Sequence, residues 1–378
     1  MFRFLFNIER DDQMLYYVFI GIFLLIFALL TGFLVYRLNK ISIYQFIRNK
    51  NNKVSKIMLI IIFVIALLFM IFDSINTLIV LIHLFAALII FDFIIGIINM
   101  IRKKDINNSV SFILAIITTS IYLIYGYYEA HHVVETDYII NTKKDIGVDS
   151  FRIVQVTDSH IGATMNGDKF YKYMEGINKL NPDIVVITGD FVDDDTSLKD
   201  MIKASKGLGN LKTKYGVYFI YGNHDKAYFN YRNFDNKRLR KELKNNNVII
   251  LEDEVKLIAD NIYLVGRQDS QVKDRIAAEE LTDKLDKSKF IIGLDHKPDD
   301  YGNEVNAKFD LVLSGHTHGG QMWPLGPISV FMGINDSYYG TKVIDDTTFI
   351  VSSGIGDWQI KFKTATISEY VVIDIKNK

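Results

Sequence analysis

Four long apolar runs fill the first third of the chain, at about 15–36, 57–72, 78–101 and 110–128. A helix of ~17–25 apolar residues matches the hydrocarbon thickness of a bilayer. In lipid every backbone N–H and C=O must be satisfied inside the segment, which confines such runs to helices. Residues 1–133 are therefore predicted to form a transmembrane region of four helices. A cleaved signal peptide is a poor reading of the first run. Its apolar stretch is too long, and its leader, with Glu9, Asp11 and Asp12, is not clearly basic.

The connections predict an orientation. Arg37, Lys40, Arg48, Lys50, Lys53 and Lys56 separate the first two runs, and Arg102, Lys103 and Lys104 separate the last two. The short connection 73–77 has no Lys or Arg. Basic loops stay in the cytoplasm. Both chain ends, and everything after residue 128, are then expected outside, against a weaker opposite pull from Arg3 and Arg10. The chain reads as a multi-pass protein of the cell membrane with an extracytoplasmic second domain. His83 and Asp92 lie inside the third run, where no partner is identifiable for either. They are read as interhelical hydrogen-bonding groups rather than marks of function.

From about residue 134 to the end the pattern is that of a soluble domain. Short runs rich in Ile, Val, Phe and Tyr predict strands at 153–156, 184–187, 217–221, 262–265, 290–294 and 309–313. They are mostly continuous rather than alternating, which fits strands buried on both faces. Helical spacing is clear at 168–180, where Tyr173, Met174, Ile177 and Leu180 recur, and 198–211 and 238–246 are further helix candidates. Strand and helix in alternation imply a layered α/β domain. His131 and His132 fall in the connector and read as solvated linker residues.

Most of these strands end in a small polar cluster. They give in turn Asp158 and His160, then Asp190, then Asn223, His224 and Asp225, then Asp295 and His296, and finally His316 and His318. Arg267, Gln268 and Asp269 follow the strand at 262–265 and are expected at the rim. In open α/β sheets ligands bind beyond the carboxyl ends of strands. Of the 8 histidines, five occupy this one structural position. A lone histidine is usually a satisfied surface or core imidazole; five at strand ends, with two aspartates and an asparagine, are not coincidence. There is no cysteine, so thiolate ligands are excluded. Imidazole, carboxylate and amide oxygen together suit Mn, Fe or Zn. Seven such groups exceed one ion's needs but suffice for two divalent ions sharing a carboxylate. Two metals ~3.5–4 Å apart stabilise the attacking and leaving oxygens of an in-line displacement. That chemistry suits a phosphate ester or anhydride.

The ordered set Asp158-Ser159-His160, Gly189-Asp190, Gly222-Asn223-His224-Asp225, His296 and Gly315-His316-Thr317-His318 resembles the calcineurin-like metallophosphoesterase superfamily. The likeness spans roughly 151–356 and leaves out the four apolar runs. It implies a layered α/β/β/α sandwich. It also implies that Asp158, His160 and His318 hold one metal, that Asn223, His296 and His316 hold the other, and that Asp190 bridges them. His224 would stabilise or protonate the leaving oxygen. Asp225 either orients His224 or pairs elsewhere. The loop 319–324 resembles the membrane-associated bacterial branch; Trp323 there either walls the pocket or packs. The turn Ser352-Ser353-Gly354-Ile355-Gly356 also resembles that branch, which often continues with Pro and Arg. Here Asp357 and Trp358 follow instead.

The expected activity is that of a membrane-anchored phosphohydrolase acting on phosphate esters, diesters or pyrophosphates, on a small-molecule or a lipid- or envelope-linked substrate. Two other readings are a nuclease and a non-enzymatic phospholigand sensor. A net charge of −1 offers no general attraction to nucleic acid. The one basic cluster, Lys237-Arg238-Leu239-Arg240-Lys241, reads as a solvated helix face. A pure sensor has no need of His224.

Overall fold

The computed structural model describes residues 13–226 and 232–378; the leader residues Arg3, Glu9, Arg10, Asp11 and Asp12 lie outside them. The chain divides into two units, Met1–Tyr125 and Gly126–Lys378.

The first unit is helical. Its elements are α1 (Gln13–Leu38), α2 (Ser42–Lys50), α3 (Asn52–Phe72), α4 (Ser74–Arg102) and α5 (Asn108–His131), the last continuing into the second unit. All but α2 are long and apolar enough to cross a membrane. Helix α3 starts earlier than the apolar pattern predicts, because the Asn51 side chain accepts from Val54 N and caps it. Asp73 caps α4 in the same way, accepting from Asn76 N. Helix α2 lies in the first basic connection and is missed by a reading that looks for spans. Leu88, Ala115, Phe112, Ile41 and Tyr44 form one buried cluster, and Phe27, Leu30, Met70 and Leu81 another. Ile60, Phe69, Ile90 and Phe93 are exposed, as lipid-facing side chains should be.

Asp92 has a partner after all. Arg37 donates from Nη1 and Nη2 to its two carboxylate oxygens at 2.5 and 2.8 Å, and from Nη2 to Ser111 Oγ at 2.9 Å. Arg37 is therefore a bundle residue, not a charge of the first loop. His83 instead bonds within its own helix, Nδ1 to Ile79 O at 2.8 Å.

The second unit carries twelve strands among the described residues. In chain order they are β1 (Val133–Thr142), β2 (Ser150–Val156), β3 (Ile184–Thr188), β4 (Val217–Ile220), β5 (Val248–Ile250), β6 (Glu254–Ala259), β7 (Ile262–Gly266), β8 (Phe290–Leu294), β9 (Leu311–Ser314), β10 (Gly340–Ile344), β11 (Thr347–Val351) and β12 (Ser368–Asn377). They form two six-stranded sheets, ordered β1-β12-β2-β3-β4-β5 and β10-β11-β9-β8-β7-β6. The run β2 to β5 is parallel, and so is the run β7, β8, β9, β11.

Alternate residues of one strand serve two cores, which is why the strands read as continuous apolar runs. Phe151, Ile153, Ile184, Val186 and Ile220 face Leu264, Ile292, Leu294, Leu311 and Leu313 across the two sheets. Val154, Val156, Val185, Ile187 and Phe219 pack on helices α6 (Gly167–Ile177), α7 (Leu198–Gly209) and α8 (Asn236–Asn245). On the far face, Val265, Ile291 and Val312 pack under α9 (Ala278–Thr282) and α10 (Tyr301–Asn306). The result is the α/β/β/α sandwich that the resemblance implied. The basic cluster lies on α8, where Leu239 is buried, Arg238 pairs with Glu242 and Arg240 pairs with Glu252.

Truncating one partner of an ion pair surrounded by apolar helices strands the other charge. Arg37→Ala and Asp92→Ala should each destabilise the helical unit by about 3 kcal/mol, measured by unfolding of the full chain in mixed detergent. The double variant should lose less than the sum of the two. Additive losses would mean that the pair is not coupled.

Candidate metal centre

The carboxyl ends of β2, β3 and β4 meet those of β8 and β9, and the loops there bond to one another through their backbones. Asp158 N donates to Gly189 O, His160 N to Asp190 O and Gly315 N to His296 O, each at 3.0 Å. Space is scarce. A Cβ on Gly315 would collide with Asp158 Oδ2 and Thr157 Oγ1, and one on Gly222 with the Asp190 carboxylate and backbone. The backbone itself is bent toward the centre. Asp158, His160, Asp190, His316 and His318 all have positive φ, between 36° and 69°. Such angles are uncommon outside glycine and cluster at functional sites.

The structure brings together all eight residues singled out in the sequence. Asp158, His160 and His318 place ligand-capable atoms within 4.8 Å of one another, and so do Asp190, His296 and His316. Asn223 Oδ1 lies 3.2 Å from His296 Nε2, and Asp190 Oδ2 lies 3.1 Å from the same nitrogen. Asp190 Oδ2 is also 3.6 Å from His160 Nε2, so one carboxylate stands between the two groups. His224 N donates to Asp190 Oδ1 at 2.8 Å, and its ring sits 4.9 Å from that of His160.

Two of these imidazoles hydrogen-bond outward through Nδ1: His296 Nδ1 meets Thr188 O at 2.8 Å and His160 Nδ1 meets Asp193 Oδ2 at 3.1 Å. His318 Nδ1 lies 3.3 Å from Asp357 Oδ1 without a hydrogen bond to it. An Nδ1–H donated outward leaves a neutral ring's Nε2 as a bare lone pair. His160 Nε2 is buried with no hydrogen-bond partner and lies 3.6 Å from Asp190 Oδ2. Imidazoles and carboxylates crowded into one buried space make a ready cation site. The same groups bias one another's protonation. Burial pushes His296 down, yet the Asp190 charge beside it lifts its pKa to about 10. Burial pushes Asp190 up, yet the His296, His224 and His160 charges hold it well below the usual carboxylate range. His316 is driven well below its ordinary value by burial and by His296.

Two residues that the sequence analysis did not single out shape the site. Asp193 accepts at 3.1 Å from both His160 Nδ1 and His224 Nδ1. Burial opposes His224 protonation, but Asp190 and Asp193 together raise it to about 9. Asp357 is fully buried and paired with Lys363 Nζ at 3.0 Å. The residue that departs from the pattern after Gly356 thus lies 3.3 Å from His318 Nδ1. Asp225 does not orient His224. Its carboxylate accepts from Phe191 N and Val192 N at 2.9 and 3.1 Å and from Gly222 N at 2.9 Å, stitching two loops together. Arg267 is no rim residue. It is buried and paired with Asp295, Asp300 and Glu304. Trp323 is 66% exposed. The indole beside His224 is Trp358, 5.6 Å between ring centres.

The model of the calcineurin-like phosphoesterase family matches residues 151–320. An uncharacterized metallophosphoesterase of Campylobacter jejuni is 31% identical over 309 residues, covering 78% of this chain and 79% of its own length. The chain belongs to the calcineurin-like phosphoesterase family. It is accordingly a metal-dependent phosphoesterase, a hydrolase. It is also 28% identical to a transmembrane protein with metallophosphoesterase domain from Danio rerio, over 77% of this chain and 71% of that one. Among solved structures, a dimetal phosphatase from Danio rerio superposes with a TM-score of 0.37 at 11% identity, covering 54% of this chain and 87% of that one.

Gly222 and Gly315 leave no room for a methyl group beside the site carboxylates. Gly222→Ala and Gly315→Ala should each lower bound divalent metal while the chain stays folded, read by elemental analysis against far-UV circular dichroism. Full metal content in both variants would contradict this packing.

Proposed function

We propose that this phosphoesterase is a membrane-anchored enzyme with two metals, hydrolysing phosphate esters, diesters or pyrophosphates outside the cytoplasm. The observation that carries the reading is the gathering of two ligand-capable sets, Asp158 with His160 and His318, and Asp190 with His296 and His316, each within 4.8 Å, with Asp190 Oδ2 3.1 Å from His296 Nε2 and 3.6 Å from His160 Nε2. Asp158, His160 and His318 would hold one ion, Asn223, His296 and His316 the other, and Asp190 would be shared. The donor set suits Mn, Fe or Zn. When bound, the pair supplies positive charge that acidifies a water and neutralises the phosphoryl oxygens.

The chain's own residues do the rest. Asp193 fixes the His224 ring through Nδ1, and the neighbouring Asp190 and Asp193 carboxylates favour, against the cost of burial, the protonated ring that would serve the departing oxygen. Trp358 stands against His224 and closes one side. Thr188 and Asp193 hold His296 and His160 by Nδ1, with Nε2 of each turned toward Asp190. Four apolar helices support anchoring. Anchoring raises the local concentration of lipid- or envelope-linked phosphates. The basic connections at 40–56 and 102–104 support a cytoplasmic position for those loops and an outer one for the phosphoesterase unit.

The full-length protein with manganese should hydrolyse bis-p-nitrophenyl phosphate. His224→Ala should lower turnover by about a hundredfold or more and keep its metal. A variant with full activity would remove His224 from the mechanism. Since the chain has no cysteine, sidedness is directly measurable. An impermeant maleimide should label Asp260→Cys in intact cells and Lys103→Cys only after permeabilisation. The reverse pattern would invert the topology.

A further inference from the structure

The loop after His318 runs uncharged from Gly319 to Asn335. It ends in a short helix, α11 (Leu325–Phe331). Trp323, Leu325, Ile328, Phe331, Met332 and Ile334 are all exposed, Phe331 at 92%. A contiguous apolar patch of this kind on a folded unit marks a surface that meets something.

Its surroundings say what. Gln321 Nε2 donates to Phe362 O at 2.7 Å, and Thr364 N donates to Gln321 O at 2.9 Å. Trp323 N donates to Thr364 Oγ1 at 3.3 Å. The same strap, 357–364, is fixed to the end of α5. Lys363 N donates to Gly126 O at 2.8 Å, and the Phe362 and Tyr127 rings lie 6.4 Å apart. Gly126 permits this approach; a Cβ there would overlap the Thr364 methyl. Helix α5 is a candidate span over Ser109–His131, and it ends in Tyr125, Tyr127 and Tyr128. Tyrosines at the end of a span sit at headgroup depth. At its other end the strap reaches the metal centre, through Asp357 to His318 and Trp358 to His224.

We propose that the apolar loop 323–334 lies in the bilayer interface beside the exit of α5, so that the site opens onto a lipid surface and takes a phosphoester carried on a lipid headgroup. The patch is continuous with the span through two hydrogen-bonded links, and it lacks the charges that interfacial insertion would have to desolvate. The substrate half of this proposal rests on the phosphoesterase reading above; the membrane contact does not.

The chain has only two tryptophans, Trp323 and Trp358. In full-length Trp358→Phe in nanodiscs, Trp323 is the sole indole. Its emission should be blue-shifted and quenched by lipids brominated on the acyl chain, and the quenching should fall when Phe331→Asp is added. Unquenched, red-shifted emission would overturn the proposal. Unquenched emission whose blue shift depends on protein concentration would overturn it in favour of a second copy on this patch. For the substrate half, a long-chain alkyl p-nitrophenyl phosphate in the disc is compared with soluble bis-p-nitrophenyl phosphate. The double variant Phe331→Asp, Met332→Asp should slow the first by about tenfold and leave the second unchanged. Equal effects on both, or none, would contradict the lipid assignment. Loss of both substrates by the unaltered protein would instead retire the phosphoesterase reading, with the quenching result still deciding the membrane contact.

Discussion

Everything in the second unit is arranged about one buried negative charge. The Asp190 carboxylate is buried, with Oδ2 3.1 Å from His296 Nε2 and 3.6 Å from His160 Nε2, and with Oδ1 accepting from His224 N. An isolated charge in such a place is strongly unfavourable. It is tolerable only if positive charge arrives with it. The fold brings five strand ends from two sheets to that point, and so fixes where the positive charge must be.

Holding them there costs backbone strain and space. Five site residues adopt left-handed angles that L side chains disfavour by about 1–3 kcal/mol each, and Gly189, Gly222 and Gly315 let loops touch where a Cβ would clash. The compensation comes from rigid neighbours. Asp225 uses its carboxylate to tie Phe191, Val192 and Gly222 together. The sheets beneath are packed on both faces and leave the loops nowhere to relax. A hydrolase of this kind is positioned by its core, and its chemistry sits where the strands stop.

The central strands were legible because each is short, apolar throughout and followed at once by polar residues. All eight residues that the structure gathers there could be picked out that way, since a polar residue just past a strand end is a local feature. The edge strands could not. Strand β1 alternates exposed and half-buried residues and pairs with β12 from the far end of the unit, a contact no local window contains. Asp193 was hidden in a run of three aspartates, Asp193 to Asp195; only the placement of the His160 and His224 rings picks out the first of them. Arg37 looked like a loop charge because its partner, Asp92, lies on another helix. Asp357 looked like a departure from the pattern, and its approach to His318 depends on how the late turn folds back.

The most direct test of the paired-cation account is anomalous scattering from crystals of the manganese-loaded protein. The account predicts two peaks ~3.5–4 Å apart, one against Asp158, His160 and His318, the other against Asn223, His296 and His316, with Asp190 between them. A single fully occupied peak, or peaks away from Asp190, would contradict it.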